Sequence, residues 1–262
     1  MMAKLSNRVA WVTGGGRGIG RAIALAFARE GGAVAVSARS DDELNVVADE
    51  IRALGGRALA VHADAMSLQE TLTCADRIAD ELGPVDILVN NAGGGVAPRR
   101  DEHLSAAEID SFAFIDNVDL NLFSAYRATQ SVLAGMRQRR YGRIINIGSG
   151  YAKRSGGAPA YTAAKHGLIG MTRAMAAQFG TEGVSINCLC PGWTNTKLVN
   201  LDAMAAMQKV DVAAVRSRIE SENLQHRILE PEELAPMAVL LASEDAASIT
   251  GQVISVDGGY GV

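Results

Sequence analysis

Short apolar segments alternate along this chain with segments of helical periodicity, and this alternation limits the possible folds more than any other feature. Seven segments are typical of strands: 8–13, 33–38, 57–63, 85–90, 143–148, 184–190 and 252–257. Most are apolar throughout, as strands covered on both faces are. Parallel strands need crossover connections, which helices supply. The pattern therefore predicts an α/β fold, a doubly wound parallel sheet of the Rossmann type.

Helical periodicity fills the gaps between these segments. Apolar residues at three- and four-residue steps predict helices over 18–31, 41–54 and 67–82. Serine followed three residues later by glutamate, the capping-box pattern, predicts three helix starts: Ser40 with Glu43, Ser67 with Glu70, and Ser105 with Glu108. Pro231 predicts a further start. Because no repeat, low-complexity tract or linker interrupts this order, we expect residues 1–262 to form a single domain.

The bulk composition argues against several classes of function. The net charge of −4 is opposite in sign to what broad nucleic-acid binding needs, and the basic segment 137–143 is interpreted as the solvated end of a helix. Three cysteines are too few for a disulfide framework and four histidines lack metal-ligand spacing, so we expect reduced thiols and no metal. No segment has the pattern of a signal peptide or of a membrane span, which predicts a cytoplasmic protein.

A glycine-rich loop follows the first predicted strand. Gly14, Gly18 and Gly20 lie in the segment TGGGRGIG, after a strand and at the start of a helix. Glycine permits a tight turn and a close approach of the backbone to a pyrophosphate, and a helix N-terminus offers free N–H groups to an anion. The spacing differs from the standard dinucleotide fingerprint, and a plain strand-to-helix turn can also contain glycine. The position after the first strand favours a nucleotide site.

Polar residues also follow later strands. Asp64 ends the third predicted strand, Asn90 ends the fourth, and Ser149 follows the fifth. In a doubly wound sheet, ligands bind beyond the carboxyl ends of the strands. Helix capping would explain any one of these residues, but the position that they share with the glycine loop favours a ligand site.

Tyr161 and Lys165 lie one helical turn apart, downstream of Ser149. The spacing of four residues puts them on one helix face, either as a surface pair or as a proton-transfer site. Since the pKa of free tyrosine is ~10, a neighbouring ammonium is expected to lower it toward the working range of a general acid/base. Ser149 would then donate a hydrogen bond to a substrate oxygen that gains negative charge.

These motifs, in this order, resemble those of the short-chain dehydrogenase/reductase family over essentially the whole chain. The matching segments are TGGGRGIG (13–20), Asp64, NNAG (90–93), Asn121, Ser149, YTAAK (161–165), PGWTNT (191–196) and VDGG (256–259). The resemblance implies a seven-stranded parallel sheet, a bound NAD(P), and interconversion of a carbonyl and a secondary alcohol. Segment 99–120 is longer than is usual in the family, and Asn121 is preferred to nearby Asn117 because the helix that follows matches in phase.

The resemblance also implies roles for individual residues. Tyr161 is the proton-transfer residue, with Ser149 on the substrate oxygen. Lys165 also binds the nicotinamide ribose, and Asn121 holds a water of the proton relay. The residues implied in cofactor binding are Gly14, Arg17, Gly18, Ile19, Gly20, Arg39, Asp64, Ala65, Asn91, Ala92, Gly93, Tyr161, Lys165, Pro191, Gly192, Thr194 and Thr196.

The end of the second strand bears on the choice between NADP(H) and NAD(H). NAD-preferring folds place an acid there, bonded to the ribose 2′-OH, whereas this chain has Ala38 followed by Arg39. A guanidinium binds the 2′-phosphate of NADP well, and Arg17 would add a second charge. The alternative is that both arginines are solvated surface residues, and Asp41 and Asp42 reduce the local positive charge. We expect NADP(H), with NAD(H) as the alternative.

The long segment after PGWTNT, at about 193–227, is predicted to be a substrate lid. Its apolar residues include methionines, which suit an adaptable pocket cover, although packing onto the domain explains each residue equally well. Among substrates, 3-oxoacyl thioesters come first, because the core motifs resemble those of 3-oxoacyl-carrier-protein reductases. Free hydroxy acids such as 3-hydroxybutyrate, sugars, polyols and steroids are the alternatives.

Two other classes of function are compatible with this fold. A non-redox relative, such as a halohydrin dehalogenase, would lack the glycine loop and have arginine in place of Lys165. A nucleotide sensor would lack the pair of Tyr161 and Lys165, so the intact motifs favour an oxidoreductase. Because the family commonly forms tetramers through long helices, we expect a homotetramer built on 105–139 and 159–180. The C-terminal VDGGYGV is expected near the lid or a subunit interface.

Overall fold

The seven predicted strands form one parallel sheet. The computed structural model describes residues 3–96 and 103–261. The strands are β1 (Val9–Thr13), β2 (Ala33–Ala38), β3 (Ala58–His62), β4 (Ile87–Asn90), β5 (Gly142–Ile147), β6 (Val184–Pro191) and β7 (Val253–Val256). Their order is β3-β2-β1-β4-β5-β6-β7, and every neighbouring pair is parallel. The predicted doubly wound fold is confirmed, with the winding reversing between β1 and β4.

Helices cover both faces of this sheet. In the described part of the chain they are α1 (Gly18–Arg29), α2 (Asp41–Ala53), α3 (Leu68–Glu81), α4 (Ala106–Val118), α5 (Ser124–Arg139), α6 (Pro159–Phe179), α7 (Leu201–Gln208), α8 (Val212–Ser221) and α9 (Ala235–Ala242). A π-helical turn, Asp119–Phe123, joins α4 to α5. Pro231 opens a short 3₁₀ turn that leads into α9, so the predicted start is right but the first turn is not α-helical.

The sheet separates two hydrophobic cores, and alternate residues of β1 show the division. Ala10 and Val12 face a core shared with α1, α2 and α9. Val9 and Trp11 face a second core shared with α3, α5 and α6. Since successive side chains of a strand point to opposite faces, a sheet with two cores needs apolar residues at most positions of its strands. This is why most of the strand residues are apolar, with exceptions such as Asn90 and Asn146, whose side chains pair with each other.

The capping boxes form only in part as predicted. Ser105 and Glu108 make the complete box at the start of α4. At α3 the Ser67 hydroxyl accepts the N–H of Glu70, but the Glu70 carboxylate accepts the N–H of Asp64 at 2.8 Å instead of that of Ser67. Glu70 therefore fixes the loop after β3, in which Asp64 lies.

The box predicted at the start of α2 is wrong. The Ser40 side chain caps no N–H group of the helix. The Glu43 carboxylate instead binds Arg17 at 3.2 Å and Lys197 at 2.8 Å. Hydrogen bonds between charged partners are stronger than those to a neutral N–H group, so the two cations draw this side chain away from the helix end.

Segment 137–143 joins α5 to β5. Arg137 is exposed and pairs with Glu182 at 2.7 Å, as expected for the solvated end of a helix. Arg143, in contrast, is buried, stacks on the ring of Tyr141 and reaches Glu244 at 3.2 Å. The interpretation of this basic segment is therefore right for its first residue and wrong for Arg143, whose charge is used inside the fold.

Gly20→Ala is expected to destabilise the protein. A Cβ atom at residue 20 would lie 2.3 Å from the carbonyl oxygen of Gly14 and 2.5 Å from the side-chain amide of Asn91, so α1 would have to shift. We expect a loss of about 1–3 kcal/mol in the free energy of unfolding, measured with urea.

Gly170→Ala, within α6, is the matched control. No atom lies within 4 Å of the added Cβ atom, and alanine is the better helix former by about 1 kcal/mol. This variant is therefore expected to gain stability. A Gly20→Ala variant as stable as wild type would contradict the close approach of α1 to the loop after β1.

Candidate active site

A cavity of about 790 Å³ opens at the carboxyl ends of the strands, where the winding reverses. The predicted site residues that line it are Gly14, Arg17, Gly18, Ile19, Arg39, Asp64, Ala65, Asn91, Ala92, Gly93, Ser149, Tyr161, Lys165, Pro191, Gly192, Thr194 and Thr196. Gly20 and Asn121 do not line it. Gly20 lies behind the glycine loop, where the missing side chain lets α1 pack against Gly14.

The first turn of α1 offers an anion site to this cavity. Gly14 and Gly18 adopt left-handed backbone conformations, with φ of +63° and +53°, which glycine adopts without strain. Arg17, at the N-cap, makes no side-chain hydrogen bond to the helix, and the first turn contains no acidic residue. The N–H groups there are available to a phosphate, and the helix dipole favours negative charge. This loop fits the pyrophosphate of a dinucleotide.

Side-chain hydrogen bonds hold the neighbouring loops in place. The Asp64 carboxylate accepts the N–H of Met66 at 2.9 Å. The Asn91 amide donates to the carbonyl oxygens of Thr13 and Gly14 at 3.1 and 2.9 Å. The Asn91 bonds fix the loop after β4 relative to the glycine loop, and the Asp64 bond holds the shape of the loop after β3.

Four charged side chains line one part of the cavity. The Glu43 carboxylate lies between Arg17 and Lys197, and the hydrogen bond from Lys197, together with both positive charges, lowers the pKa of Glu43. Arg39 is exposed and, within residues 3–96 and 103–261, makes no hydrogen bond or ion pair. Glu43 therefore partly neutralises Arg17, whereas the charge of Arg39 is available to a ligand.

Ser149, Tyr161 and Lys165 meet on another part of the cavity wall. Ser149 follows β5, and the other two lie on the first turns of α6. Lys165 is only 4% exposed, and its Nζ donates to the carbonyl oxygen of Ile147, the last residue of β5, at 2.8 Å. The same Nζ lies 5.6 Å from the ring centroid of Tyr161. Lys165 is thus buried and Tyr161 lines the cavity, so the two do not form a surface pair.

Burial shifts the two pKa values in opposite directions. Burial raises the pKa of Tyr161, and a hydrogen bond from Ser149 only partly opposes this. Burial lowers the pKa of Lys165 from 10.5 to about 8. The expectation that Lys165 lowers the pKa of Tyr161 is therefore wrong for this structure, because loss of water disfavours the charged form of both groups. Tyr161 is a neutral phenol, and hence a proton donor, at neutral pH.

Asn121 lies in the π-helical turn, directly behind the cavity wall. It is buried, accepts the N–H of Gly94 at 2.9 Å, and donates to the carbonyl oxygens of Gly94 and Asn117 at 2.8 and 2.9 Å. A Cβ atom at Gly93 would lie 2.8 Å from its oxygen and 3.4 Å from the Nζ of Lys165. Asn121 thus ties the loop after β4 to the surroundings of Lys165, whereas Asn117 lines the cavity.

Asn90 does not face the cavity, and the interpretation of this residue as part of a ligand loop is wrong. Its amide donates to Thr129 at 3.0 Å and to Asn146 at 2.8 Å, and Asn146 donates to Thr172 at 2.8 Å. All four side chains are buried. Asn90 is still part of β4, and its side chain joins a polar network that links β4 and β5 to α5 and α6. Only the residues after it reach the cavity.

Several residues that line the cavity were missed by the sequence analysis. Four of them are aromatic: Trp11 in β1, Tyr151 in the turn after Ser149, Trp193 after β6, and Tyr260 near the C-terminus. Trp193 had a local signal, since it lies inside PGWTNT. Tyr151 and Tyr260 also lie beside predicted motifs, two residues after Ser149 and directly after VDGG, but no local pattern places their rings against each other. The C-terminal segment lies against the end of α8, as expected, where the N–H of Gly261 donates to Glu222.

The predicted lid segment, 193–227, contains α7 and α8. It has a core of its own, formed by Ala205, Val215 and Ile219 with Trp193, Leu201, Met204 and Ile228 packed against it. Leu198 and Val199 line the cavity, but Met204 and Met207 do not. Met207 is 77% exposed. The expectation of a methionine-bearing pocket face is therefore wrong, since the first residues of the segment border the cavity instead.

The described residues show neither a metal site nor a membrane span. The three cysteines are buried free thiols. Within residues 3–96 and 103–261, no cluster of histidine, cysteine, aspartate or glutamate has the arrangement to hold a metal ion. In the same ranges, no helix is both long enough and apolar enough to cross a bilayer.

The lowered pKa of Lys165 predicts a pH dependence of stability. Because folding lowers this pKa from 10.5 to about 8, the unfolded chain binds more protons than the folded chain between these values. The contribution of Lys165 to stability therefore increases as pH rises through that window. From about pH 7.5 to about pH 9.5, wild type should gain about 2 kcal/mol relative to Lys165→Met in urea unfolding.

The comparison with Lys165→Met isolates the effect of this one group. All other titrating groups are shared by the two proteins, so the contributions of those that do not interact with Lys165 cancel; Cys188 and Cys190 are the two that interact with it. Parallel pH profiles of the two proteins would show that burial does not lower the pKa of Lys165.

Comparisons with known proteins agree with this geometry. The model of the short chain dehydrogenase family matches residues 8–205. A 3-oxoacyl-[acyl-carrier-protein] reductase of Vibrio harveyi is 37% identical over 257 residues, which cover 97% of this chain and 98% of the relative. An acetoacetyl-CoA reductase of Shinella zoogloeoides is 36% identical over 255 residues, with the shares again 97% and 98%.

A solved structure extends the agreement to three dimensions. A variant of actinorhodin polyketide ketoreductase, crystallised with NADPH, is 33% identical and superimposes with a TM-score of 0.88, over 98% of this chain and 99% of that chain. The glycine loop, the buried lysine and these full-length matches lead to one conclusion. The chain belongs to the short-chain dehydrogenase family, and it is an oxidoreductase that uses NAD(P)(H).

Proposed function

We propose that this protein reduces the ketone of a 3-oxoacyl thioester with NADPH. One observation carries the proposal: Ser149, Tyr161 and Lys165 meet on the wall of a cavity that also contains the anion site of α1. A hydrogen-bond donor, a proton donor and a buried cation at one point suit a carbonyl oxygen that gains negative charge.

In this mechanism Tyr161 supplies the proton. Burial keeps its hydroxyl protonated at neutral pH, so it transfers that proton to the carbonyl oxygen while Ser149 donates a hydrogen bond to the same atom. A reduced nicotinamide, when bound, supplies the hydride that the carbonyl carbon accepts. As the O–H bond of the alcohol forms, the O–H bond of Tyr161 breaks and leaves a phenolate.

Lys165 stabilises this phenolate. Its ammonium is held beside the tyrosine ring by the carbonyl oxygen of Ile147. Attraction between opposite charges is stronger where water is excluded, so the effect of Lys165 increases when the phenolate forms. We assign Asn121 to the proton relay that restores the phenol, because it orders the loop of Gly93 and Gly94 beside Lys165.

Arg39 supports a preference for NADP(H) over NAD(H). It directly follows β2, lines the cavity and has no ion-pair partner among the described residues, so its guanidinium is free to bind a 2′-phosphate. Arg17 suits this part less well, since Glu43 already binds it. The compared ketoreductase structure contains NADPH, which agrees with this preference.

The relatives support a thioester substrate. One is named for the reduction of 3-oxoacyl chains on acyl-carrier protein and the other for the reduction of acetoacetyl-CoA, and both match this chain over nearly its full length. In both names the ketone lies two carbons from the thioester. Free hydroxy acids, sugars, polyols and steroids are the alternatives that a substrate panel separates.

Exposed apolar side chains support a homotetramer. Phe114 and Ile115 on α4 are 45% and 55% exposed, and Phe123 and Tyr126, around the start of α5, are each 48% exposed. Several large apolar side chains exposed on consecutive helical segments are typical of an interface. We place the subunit contacts on α4, α5 and α6, where the sequence predicts them. The cytoplasmic location stays a prediction.

The purified protein is expected to oxidise NADPH when an acetoacetyl thioester is added. Tyr161→Phe should lower kcat by about 10²–10⁴-fold, because phenylalanine keeps the ring but has no proton to donate. The loss of NADPH absorbance measures turnover, and a titration with NADPH measures binding, which should be unchanged in the variant. Tyr141→Phe, between α5 and β5 and away from the cavity, is the control and should retain wild-type activity.

The outcomes separate the proton donor from the substrate class. Turnover that survives in Tyr161→Phe would exclude this residue as the proton donor. Turnover of a free hydroxy acid or a sugar, with none of the thioester, would exclude the thioester but not the catalytic residues.

Arg39→Asp is expected to reverse part of the cofactor preference. An aspartate repels the 2′-phosphate of NADPH and accepts a hydrogen bond from the 2′-OH of NADH, so the ratio of kcat/KM for the two cofactors should fall by about tenfold or more. Arg29→Asp changes the same charge at the exposed end of α1, away from the cavity, and should leave the ratio unchanged. An unchanged ratio in Arg39→Asp would exclude Arg39 from the 2′-phosphate site.

A further inference from the structure

Aromatic side chains are rare in this chain, yet many of them line one cavity. They make up 5% of the residues, but both tryptophans and three of the five tyrosines lie on its wall. Trp11 belongs to a strand core and Tyr161 to the proposed proton transfer. The other three, Tyr151, Trp193 and Tyr260, form a set that we call the aromatic cluster. The proposed reaction gives the aromatic cluster no role.

The rings of the aromatic cluster are arranged edge to face around Tyr151. Its ring centroid lies 6.1 Å from that of Trp193 at an interplanar angle of 87°, and 6.2 Å from that of Tyr260 at 90°. These are the separations and angles of favourable T-shaped aromatic pairs. The guanidinium of Arg154 lies 5.2 Å from the Tyr260 ring and adds a cation–π contact. Three distant segments of the chain thus build one wall of rings.

Glycines make room for two of these rings. A Cβ atom at Gly150 would lie 2.7 Å from the ring of Tyr260. At Gly156 and Gly157 it would lie 2.8 and 3.0 Å from the ring of Tyr151. Both of these glycines also have positive φ, at +118° and +69°. The backbone of this loop is therefore fitted closely to the rings, which holds them in fixed positions.

The polar atoms of the aromatic cluster are already engaged. The indole N–H of Trp193 donates to the Glu222 carboxylate at 2.7 Å. Burial raises the pKa of Tyr260, and the neighbouring Tyr151 and Glu222 raise it further, so Tyr260 is a neutral phenol. Since these polar groups interact with one another, the aromatic cluster offers a ligand mainly ring surface.

The aromatic cluster begins beside the reacting group. The N–H of Tyr151 donates to the Ser149 hydroxyl at 3.2 Å, and Ser149 is the residue that contacts the ketone oxygen in the proposed function. Tyr151 thus follows Ser149 by two residues in the chain, and its backbone contacts the hydroxyl that positions the ketone. In the proposed function, a substituent on that ketone would therefore lie in the cavity that the rings line.

We propose that the aromatic cluster selects a 3-oxoacyl thioester with an aromatic ring next to its ketone, in preference to one with a short alkyl group. A substrate ring can make edge-to-face or offset-stacked contacts with the cluster, which a methyl or ethyl group cannot make. This inference rests on the proposed function and names the substrate class of the same site.

A structural role, in which the three rings pack against the lid segment, explains only part of the aromatic cluster. Trp193 packs against the core of α7 and α8 and has such a role. Tyr151 and Tyr260, however, belong to none of the hydrophobic cores of the described chain. Their rings border the cavity and each other, so their positions are better explained by a ligand.

The test compares two thioesters of N-acetylcysteamine, benzoylacetyl and acetoacetyl, with NADPH as reductant. We expect wild type to have a kcat/KM about tenfold or more higher for the benzoylacetyl thioester. Tyr151→Leu should lower that value about tenfold, mainly through KM, and change the acetoacetyl value less than about threefold. Tyr151→Phe keeps the ring and should keep the preference. Tyr260→Leu, in a different segment, should act as Tyr151→Leu does.

A binding measurement makes the test independent of turnover. Calorimetric titration of benzoylacetone, which joins a phenyl ring to a ketone, into the protein saturated with NADP⁺ should show binding to wild type and to Tyr151→Phe. Binding to Tyr151→Leu should be about tenfold weaker. Equal kcat/KM for the two thioesters in wild type, or equal losses on both in Tyr151→Leu, would overturn the proposal.

The proposed function and this inference fail in different ways. If neither thioester is reduced but benzoylacetone binding depends on the ring of Tyr151, the thioester is wrong and recognition of an aromatic ring is retained. If the acetoacetyl thioester is reduced and benzoylacetone binds equally to wild type and Tyr151→Leu, the reductase is retained and the selection of an aromatic ring is wrong.

Discussion

The burial of the Lys165 ammonium is the interaction on which the candidate site depends. Removing a charged amine from water costs several kcal/mol, and a hydrogen bond to the carbonyl oxygen of Ile147 at 2.8 Å offsets part of that cost. Because Ile147 ends β5 and Lys165 lies on α6, this bond fixes the helix against the carboxyl edge of the sheet. Tyr161, one turn earlier on the same helix, is positioned by it. Gly93 completes the arrangement, since a side chain there would press on Asn121 and approach the ammonium.

The same burial determines the protonation states of Tyr161 and Lys165, and with them the proton transfer that the two residues can support. It brings the pKa of Lys165 to about 8 and raises that of Tyr161, so both groups are driven toward their neutral forms. A neutral phenol beside a cation is ready to lose its proton but does not lose it to water. In the proposed reaction, proton transfer to a carbonyl oxygen would place the new negative charge on Tyr161, where the ammonium of Lys165 would stabilise it. The pair therefore suits a site in which the phenolate forms only as the carbonyl oxygen takes up the proton.

The parts of the fold and site that follow from the sequence are local ones. The strand segments, the glycine loop and the one-turn spacing of Tyr161 and Lys165 each depend on residues close together in the chain. The capping box predicted at Ser40 does not form, because the Glu43 carboxylate binds Lys197, which is 154 residues away in the sequence. The prediction that the pKa of Tyr161 is lowered was wrong, because sequence spacing shows which groups are neighbours but not how much water surrounds them. The aromatic cluster was missed for the same reason, since its rings meet only in the folded chain.

Trp193 belongs to the aromatic cluster and contacts the core of the lid segment, so it connects the proposed ring-binding surface to the position of that segment. One side of its indole meets Tyr151, and another packs on the core of α7 and α8. The indole N–H is held by Glu222, whose carbonyl oxygen also accepts the N–H of Gly261 beside Tyr260. One residue at the end of α8 thus fixes both the tryptophan and the C-terminal segment. A ligand ring that packs on the aromatic cluster would therefore also stabilise the lid segment beside the cavity. Selection of the substrate and exclusion of water would then be one event, because both depend on the same contacts.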